Sequence, residues 1–229
     1  MASQDDLRRI PGRTEVGVVV VTHRARQHLR RCLPPLLASP LRPRVLVVNS
    51  SSQDGTVEEA QALGAETLVV ARSAFNHGLT REQARQRLGT PVCVMLTPDA
   101  YPQEPDFLER LTAPVRNGAA AVAYGRQLAR AGAGIVEQVG RLFSYPAESH
   151  VRSLADWPRY GSYTHFCSNA CAAWSSKALD TIGGFKPTLV SEETIAVAEL
   201  LAQGHSIAYV AEATVEHSHP QSLAAAFRR

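Results

Sequence analysis

Between Val16 and Leu96 the chain passes through four short apolar stretches rich in β-branched residues, each separated from the next by a helical or polar segment. Val16-Gly17-Val18-Val19-Val20-Val21, Arg44-Val45-Leu46-Val47-Val48, residues 67–71 and Val92-Cys93-Val94-Met95-Leu96 lack the alternation of a strand with one wet face. They read as strands buried on both sides, as in a parallel sheet covered by helices. The intervening residues predict helices over 26–38, 57–63 and 80–88, the last two stopped by Gly64 and Gly89. This alternation predicts a doubly wound α/β sheet, in which ligands bind beyond the carboxyl ends of the strands. Asn49, Asp54 and Asp99 all fall at such ends.

The second half is less regular. A helix is expected from Pro105 to Asn117 and a strand over 119–124, followed by a weakly periodic, irregular excursion to Tyr160. Helices are expected over 175–182 and 192–202, with a strand over 207–210 and a short extended piece over 214–219. No repeat, low-complexity tract or linker interrupts the chain, so residues 15–229 read as one domain behind a polar tail, 1–14.

Composition removes several function classes. Lys and Arg number 24 against 21 for Asp and Glu, a net charge of +3, too slight to argue for a nucleic-acid partner. The N-terminus lacks the apolar core of a signal peptide, and no apolar run approaches the roughly 20 residues of a membrane span. The expected location is therefore cytoplasmic, and any membrane contact would be peripheral, at the inner face. Cys167 and Cys171 have the spacing of half a zinc site, but Cys32 and Cys93 lie in apolar segments, and buried free thiols fit all four better.

Two carboxylates at one sheet edge, Asp54 and Asp99, suit a nucleotide with a divalent cation such as Mg²⁺ or Mn²⁺, which takes oxygen ligands shared with phosphates. On spacing alone Asp54 equally suits the N-cap of the helix that follows it. The first strand is followed by neither a P-loop nor G-x-G-x-x-G, which argues against P-loop hydrolysis and dinucleotide binding.

Several segments carry a resemblance: NSSSQDGT (49–56), Phe75-Asn76-His77-Gly78 with Thr80-Arg81, LTPDAYP (96–102), GRQL (125–128), FCSNACAAW (166–174), GGF (183–185), SEE (191–193) and HSH (217–219). In this order, across Val16 to Arg229, the chain resembles the family 2 inverting glycosyltransferases, and within them most closely the bacterial rhamnosyltransferases. The resemblance implies a GT-A fold, a Rossmann-like, mostly parallel sheet flanked by helices with an irregular acceptor-side segment. Residues 15–124 would bind the nucleotide sugar, and 125–229 would hold the acceptor and the catalytic groups.

Residue roles follow from the same resemblance. Asp54 matches the acid that approaches the base and ribose, with Thr22, Asn49, Asn76 and His77 around the donor, and Arg81 matches a donor-side arginine. Asn49 stands where an acid is common. Asp99 alone remains of the family's metal motif, in Pro98-Asp99-Ala100, and His217 or His219 matches the late histidine that completes the site, His217 being favoured. Glu193 matches the catalytic base with Glu192 as the alternative, although two acids at a helix start also simply complement its dipole. Arg126, Gln127, Phe166, Ser168, Asn169 and Trp174 match the acceptor side.

The implied activity is transfer of a sugar from a dTDP- or UDP-linked donor, with rhamnose from dTDP-rhamnose favoured. The acceptor would be a saccharide or lipid-linked saccharide in cell-surface polysaccharide synthesis. The departures at Asn49, Pro98 and Glu193 motivate a second reading, a nucleotide- or glycan-binding member without turnover. A nucleotidyltransferase on the same sheet is a third.

Overall fold

The computed structural model describes residues 14–188 and 190–218. The elements run in chain order β1 (Val16–Thr22), α1 (Arg26–Leu37), β2 (Arg44–Asn49), α2 (Thr56–Ala62), β3 (Glu66–Val69), α3 (His77–Leu88), β4 (Val92–Leu96), β5 (Tyr101–Pro102) and α4 (Phe107–Arg116). They continue with β6 (Val122–Leu128), α5 (Ile135–Ser144), β7 (His150–Arg152), α6 (Trp157–Tyr160), β8 (Cys171–Ser175), α7 (Ser176–Thr181), α8 (Glu192–Ala202) and β9 (Ile207–Glu216).

The described strands form one sheet in the order β3-β2-β1-β4-β8-β6-β9-β5, with β7 also pairing on β9. β3, β2, β1 and β4 are parallel neighbours, as the buried apolar runs predict. Successive β1 residues point to opposite faces. Val16, Val18 and Val20 pack among Leu29, Leu33 and Leu36 of α1 and Leu111 of α4, while Val19 joins Ala84 and Leu88 of α3 and Val197 and Leu200 of α8. Helices thus cover both faces. Thr22 pairs with Asn49, and Val20 with Leu96, so β1, β2 and β4 all end at one edge.

Four differences from the sequence reading shape that edge. Residues 171–175 form β8, which pairs antiparallel with both β4 and β6 and makes the sheet mixed beyond its parallel half. The strand expected over 119–124 is β6, and it continues through Leu128, carrying Gln127 to the same edge as Asp99. The two pieces expected over 207–219 are one strand, β9, whose register against β6 shifts between Gly125 and Arg126. The excursion is not wholly irregular, since it contains α5 and β7.

The four cysteines are buried and free, and burial pushes every thiol pKa up, as expected for structural thiols rather than metal ligands. Among the described residues no helix is long and apolar enough to cross a membrane. The expectations for the tail up to residue 13 and for His219 lie outside the described residues.

Candidate active site at the carboxyl edge

On the first side of the edge, a closed hydrogen-bond network explains why residue 49 is an amide. Thr22 Oγ1 donates to Val48 O (2.9 Å) and Ser52 Oγ donates to Asp54 Oδ1 (2.8 Å), so both hydroxyl protons are already used. Each oxygen must therefore accept, and Asn49 Nδ2 donates to both, at 3.2 and 2.8 Å, while Asn49 Oδ1 accepts from Ser52 N. A carboxylate could not donate these bonds. Asp54 is not the N-cap of α2, a position taken by Gly55. It accepts instead from Thr56 Oγ1 (2.7 Å) and from Arg26 N at the start of α1 (3.3 Å). Burial opposes the charge of Asp54, but these bonds prevail and pull it down to about 2.

Asp99 follows β4 and His217 follows β9, and Asp99 Oδ1 lies 3.4 Å from His217 Nε2. On the far side of the ring, His217 Nδ1 is 2.8 Å from Gln127 Oε1. Arg141 Nη2, which can only donate, approaches the same Nδ1 at 3.3 Å, so the two neighbours ask for opposite tautomers: an Nδ1–H donating to Gln127 is the one that leaves the Nε2 lone pair facing the carboxylate. Among the described residues no group of three His, Cys, Asp or Glu could hold a metal ion. The protein offers a carboxylate and an imidazole, and that pair fits a hard divalent ion whose other positions are filled by phosphate oxygens and water.

The third part is the start of α8. Glu192 is buried, and its Oε1 accepts from Arg81 Nη1 on α3 and from Asn169 Nδ2 (2.9 Å). Trp174 Nε1 donates to Asn169 Oδ1 (2.9 Å), which fixes the Asn169 amide with its donor toward Glu192. Glu193, one residue on, is half-buried. Burial, then the negative charge of Glu192, raises its pKa above its ordinary value.

Three consecutive residues join these parts. Ser168 Oγ accepts from Gln127 Nε2 (3.0 Å), Asn169 holds Glu192, and Ala170 O accepts from Thr97 N on the approach to Asp99 (3.4 Å).

Other expected residues are placed differently. Trp174 is fully buried, edge-on to Phe185, so it has no face for a sugar and acts through Asn169. Phe166 stacks on Tyr163 (5.0 Å between centroids, 12°) inside an aromatic cluster, which covers one of its faces. Asn76 caps α3 by accepting from Leu79 N and donates to Thr188 O, so both ends of its amide hold the chain. Arg81 is buried against Glu192, with His77 Nδ1 at 3.3 Å; burial, then the Arg81 charge, lowers the His77 pKa. Arg126 lines a cavity at the end of β6.

Sequence reasoning missed Arg130, Arg141 and Arg152. Arg130 donates to the Asp99 backbone carbonyl and Arg141 to Gln127. Arg152 is fully buried and donates to Tyr124 Oη and to Phe166 O, both at 2.7 Å. They lie on or beside the excursion, whose weak periodicity hid them.

The profile of the family described as "Glycosyltransferase like family 2" matches residues 11–229. The O-antigen chain rhamnosyltransferase WbaN of Salmonella anatum is 32% identical over 188 residues, 81% of this chain and 60% of the relative. The O-antigen chain rhamnosyltransferase RfbN of Salmonella typhimurium is 30% identical over 219 residues, 94% of this chain and 70% of the relative. The chain thus spans 60–70% of the length of these two relatives. Among solved structures, the mannosyltransferase PcManGT of Pyrobaculum calidifontis, in complex with GDP-Man and Mn²⁺, superposes with a TM-score of 0.70 at 14% identity, covering 94% of this chain and 60% of its own. The fold is GT-A, and the chain belongs to the glycosyltransferase-like family 2.

Proposed function

We propose that this chain transfers a sugar with inversion from a nucleotide donor, dTDP-rhamnose, to a hydroxyl of a saccharide or lipid-linked saccharide during cell-surface polysaccharide synthesis, in the cytoplasm at the inner face of the membrane. The observation that carries the reading is the Ser168-Asn169-Ala170 segment. It ties a carboxylate–imidazole pair and a half-buried carboxyl of raised pKa to one sheet edge. The names of the two relatives support the sugar and the pathway class, and the Mn²⁺ of the mannosyltransferase supports a divalent ion.

Asp99 and His217 are the residues that would hold Mg²⁺ or Mn²⁺, which when bound supplies positive charge against the donor diphosphate. Gln127 Oε1, at 2.8 Å from Nδ1, orients the His217 ring. The network of Thr22, Asn49 and Asp54 shapes the loop against which the nucleoside rests. Glu192 is held through its Oε1 by Arg81 and Asn169, so the proton of the attacking hydroxyl goes to Glu193, whose pKa is raised above its ordinary value by burial and by the charge of Glu192. Attack from the face opposite the departing nucleotide inverts the anomeric carbon.

The test is nucleotide release from dTDP-rhamnose by the parent and by Glu193→Gln. A loss of about 10²–10⁴ in transfer with donor binding retained supports the reading. Equal transfer by both refutes the base. Donor binding without transfer by the parent, across a panel of saccharide acceptors, favours the binding-only member, for which the thin metal site and Asn49 argue.

A further inference from the structure

A cavity of about 420 Å³ lies between the end of β6 and α5, lined by Arg126, Arg130 and Arg141 together with Gln138, Leu142 and Tyr145. Among the described residues none of the three arginines forms an ion pair with a carboxylate. Arg141 donates to the Gln127 amide oxygen, and Arg130 donates to a backbone carbonyl and lies 4.3 Å over the Tyr101 ring. The Nε atoms of Arg126 and Arg130 are buried without a hydrogen-bond partner. Three like charges brought together in a partly desolvated space, with no direct ion pair among the described residues, call for an anion. Guanidinium forks match phosphate oxygens in particular.

The helix that walls this cavity is turned apolar side out. Glu137, Arg141 and Ser144, at i, i+4 and i+7, occupy its more buried face. Ile135, Val136, Val139, Leu142 and Phe143 are 75%, 53%, 57%, 68% and 86% exposed. No charged side chain lies among them, and Leu142 belongs both to the cavity wall and to this ledge. A nucleotide diphosphate has no use for an apolar ledge, whereas an amphiphile does.

We propose that the arginine cavity binds the phosphate of an amphiphilic acceptor, a saccharide joined through phosphate or diphosphate to an apolar chain, and that the chain lies along the outer face of α5. That the ligand is the acceptor rests on the transferase reading above; the anion site rests on the charges alone. The Arg126 side chain makes no hydrogen bond within the described residues, so its substitution perturbs the fold least.

The experiment titrates the full chain calorimetrically with inorganic diphosphate, farnesyl diphosphate, farnesol and dTDP with Mn²⁺. Both diphosphates bind the parent, farnesyl diphosphate more tightly. Arg126→Gln weakens both by about tenfold, the loss of one charge-assisted bond. The double variant Leu142→Ser, Phe143→Ser weakens only the farnesyl compound, and neither variant changes dTDP affinity. The inference is overturned if neither diphosphate binds, if Arg126→Gln leaves both affinities unchanged, or if it weakens dTDP as much as farnesyl diphosphate, which would assign the arginines to the donor. Failure of dTDP alone to bind, with farnesyl diphosphate binding intact, would count against the donor reading and leave the anion site standing.

Discussion

Gly78 stands in the first turn of α3, where alanine would ordinarily help, because glycine costs a helix about 1 kcal/mol relative to alanine. Here a Cβ would lie 1.8 Å from the Lys186 carbonyl oxygen and 2.9 Å from its carbon. Real Cβ contacts essentially never fall below 3.0 Å, so that carbonyl must retreat by at least 3.0 − 1.8 = 1.2 Å. Lys186 belongs to the segment that leads into α8, and Glu192 Cβ is itself 3.4 Å from the same point. The retreat therefore moves the start of α8, where the proposed base sits. A misplacement of about 1 Å at a reacting group costs about 100-fold in rate. We expect Gly78→Ala to lose about that much in kcat with donor affinity unchanged, and to lose about 1–3 kcal/mol of stability from overpacking. Gly89→Ala is the control. Its φ of +60° makes alanine strained, but the nearest atom is 3.8 Å away and remote from α8, so stability falls without the loss in kcat. Rhamnosyl transfer assays with thermal unfolding separate the two effects. A Gly78→Ala variant with the parental kcat would refute the claim that α3 packing places the base.

Other predictions follow from single interactions. Arg81→Ala leaves Glu192 buried without its cation and should cost about 3–5 kcal/mol in denaturant unfolding; a cost comparable to that of an exposed arginine would contradict the buried pair. Asn49→Asp, which restores the residue type common in the family, should destabilise the fold by about 1–3 kcal/mol, because a carboxylate cannot donate to the Thr22 and Ser52 oxygens; a more stable variant would refute the network. The raised Glu193 pKa predicts that kcat/KM climbs with pH through a value above that of an ordinary glutamate, and that Glu192→Gln moves this limb down by removing a like charge. The same shift has a sign for stability: the folded state favours neutral Glu193, so its contribution is full below the unfolded-chain pKa and is lost as pH rises through the folded value. Glu193→Gln should therefore gain stability relative to the parent as pH rises, and parallel stability curves would contradict the shift.

The parallel half of the fold was legible because β1, β2 and β4 are continuous apolar runs closed by polar residues, a pattern with few other physical solutions. Asp99 stands just beyond such a run, which is what marks it as a candidate in the sequence. β8 was not, because Cys171-Ala172-Ala173-Trp174-Ser175 is short, mostly small and carries no alternation, and it pairs only with distant strands. The full burial of Trp174 follows from that pairing, and so does its change from a sugar-facing wall to the residue that orients Asn169. The role of Arg81 depended on a partner 111 residues away, which no local pattern reveals. The arginine cavity was hidden for a similar reason, since α5 turns its apolar face outward and reverses the rule by which helices are read.

Asp99 and His217 are proposed to hold a divalent ion for a nucleotide sugar. Titration calorimetry of the parent and of Asp99→Asn with dTDP-rhamnose, UDP-glucose and UDP, with and without Mn²⁺, tests it most directly. We expect Mn²⁺-dependent binding of dTDP-rhamnose by the parent, loss of that dependence in Asp99→Asn, and weaker binding of the UDP compounds. Binding that is indifferent to Mn²⁺ or to Asp99, or absent for every nucleotide in a folded protein, would contradict it.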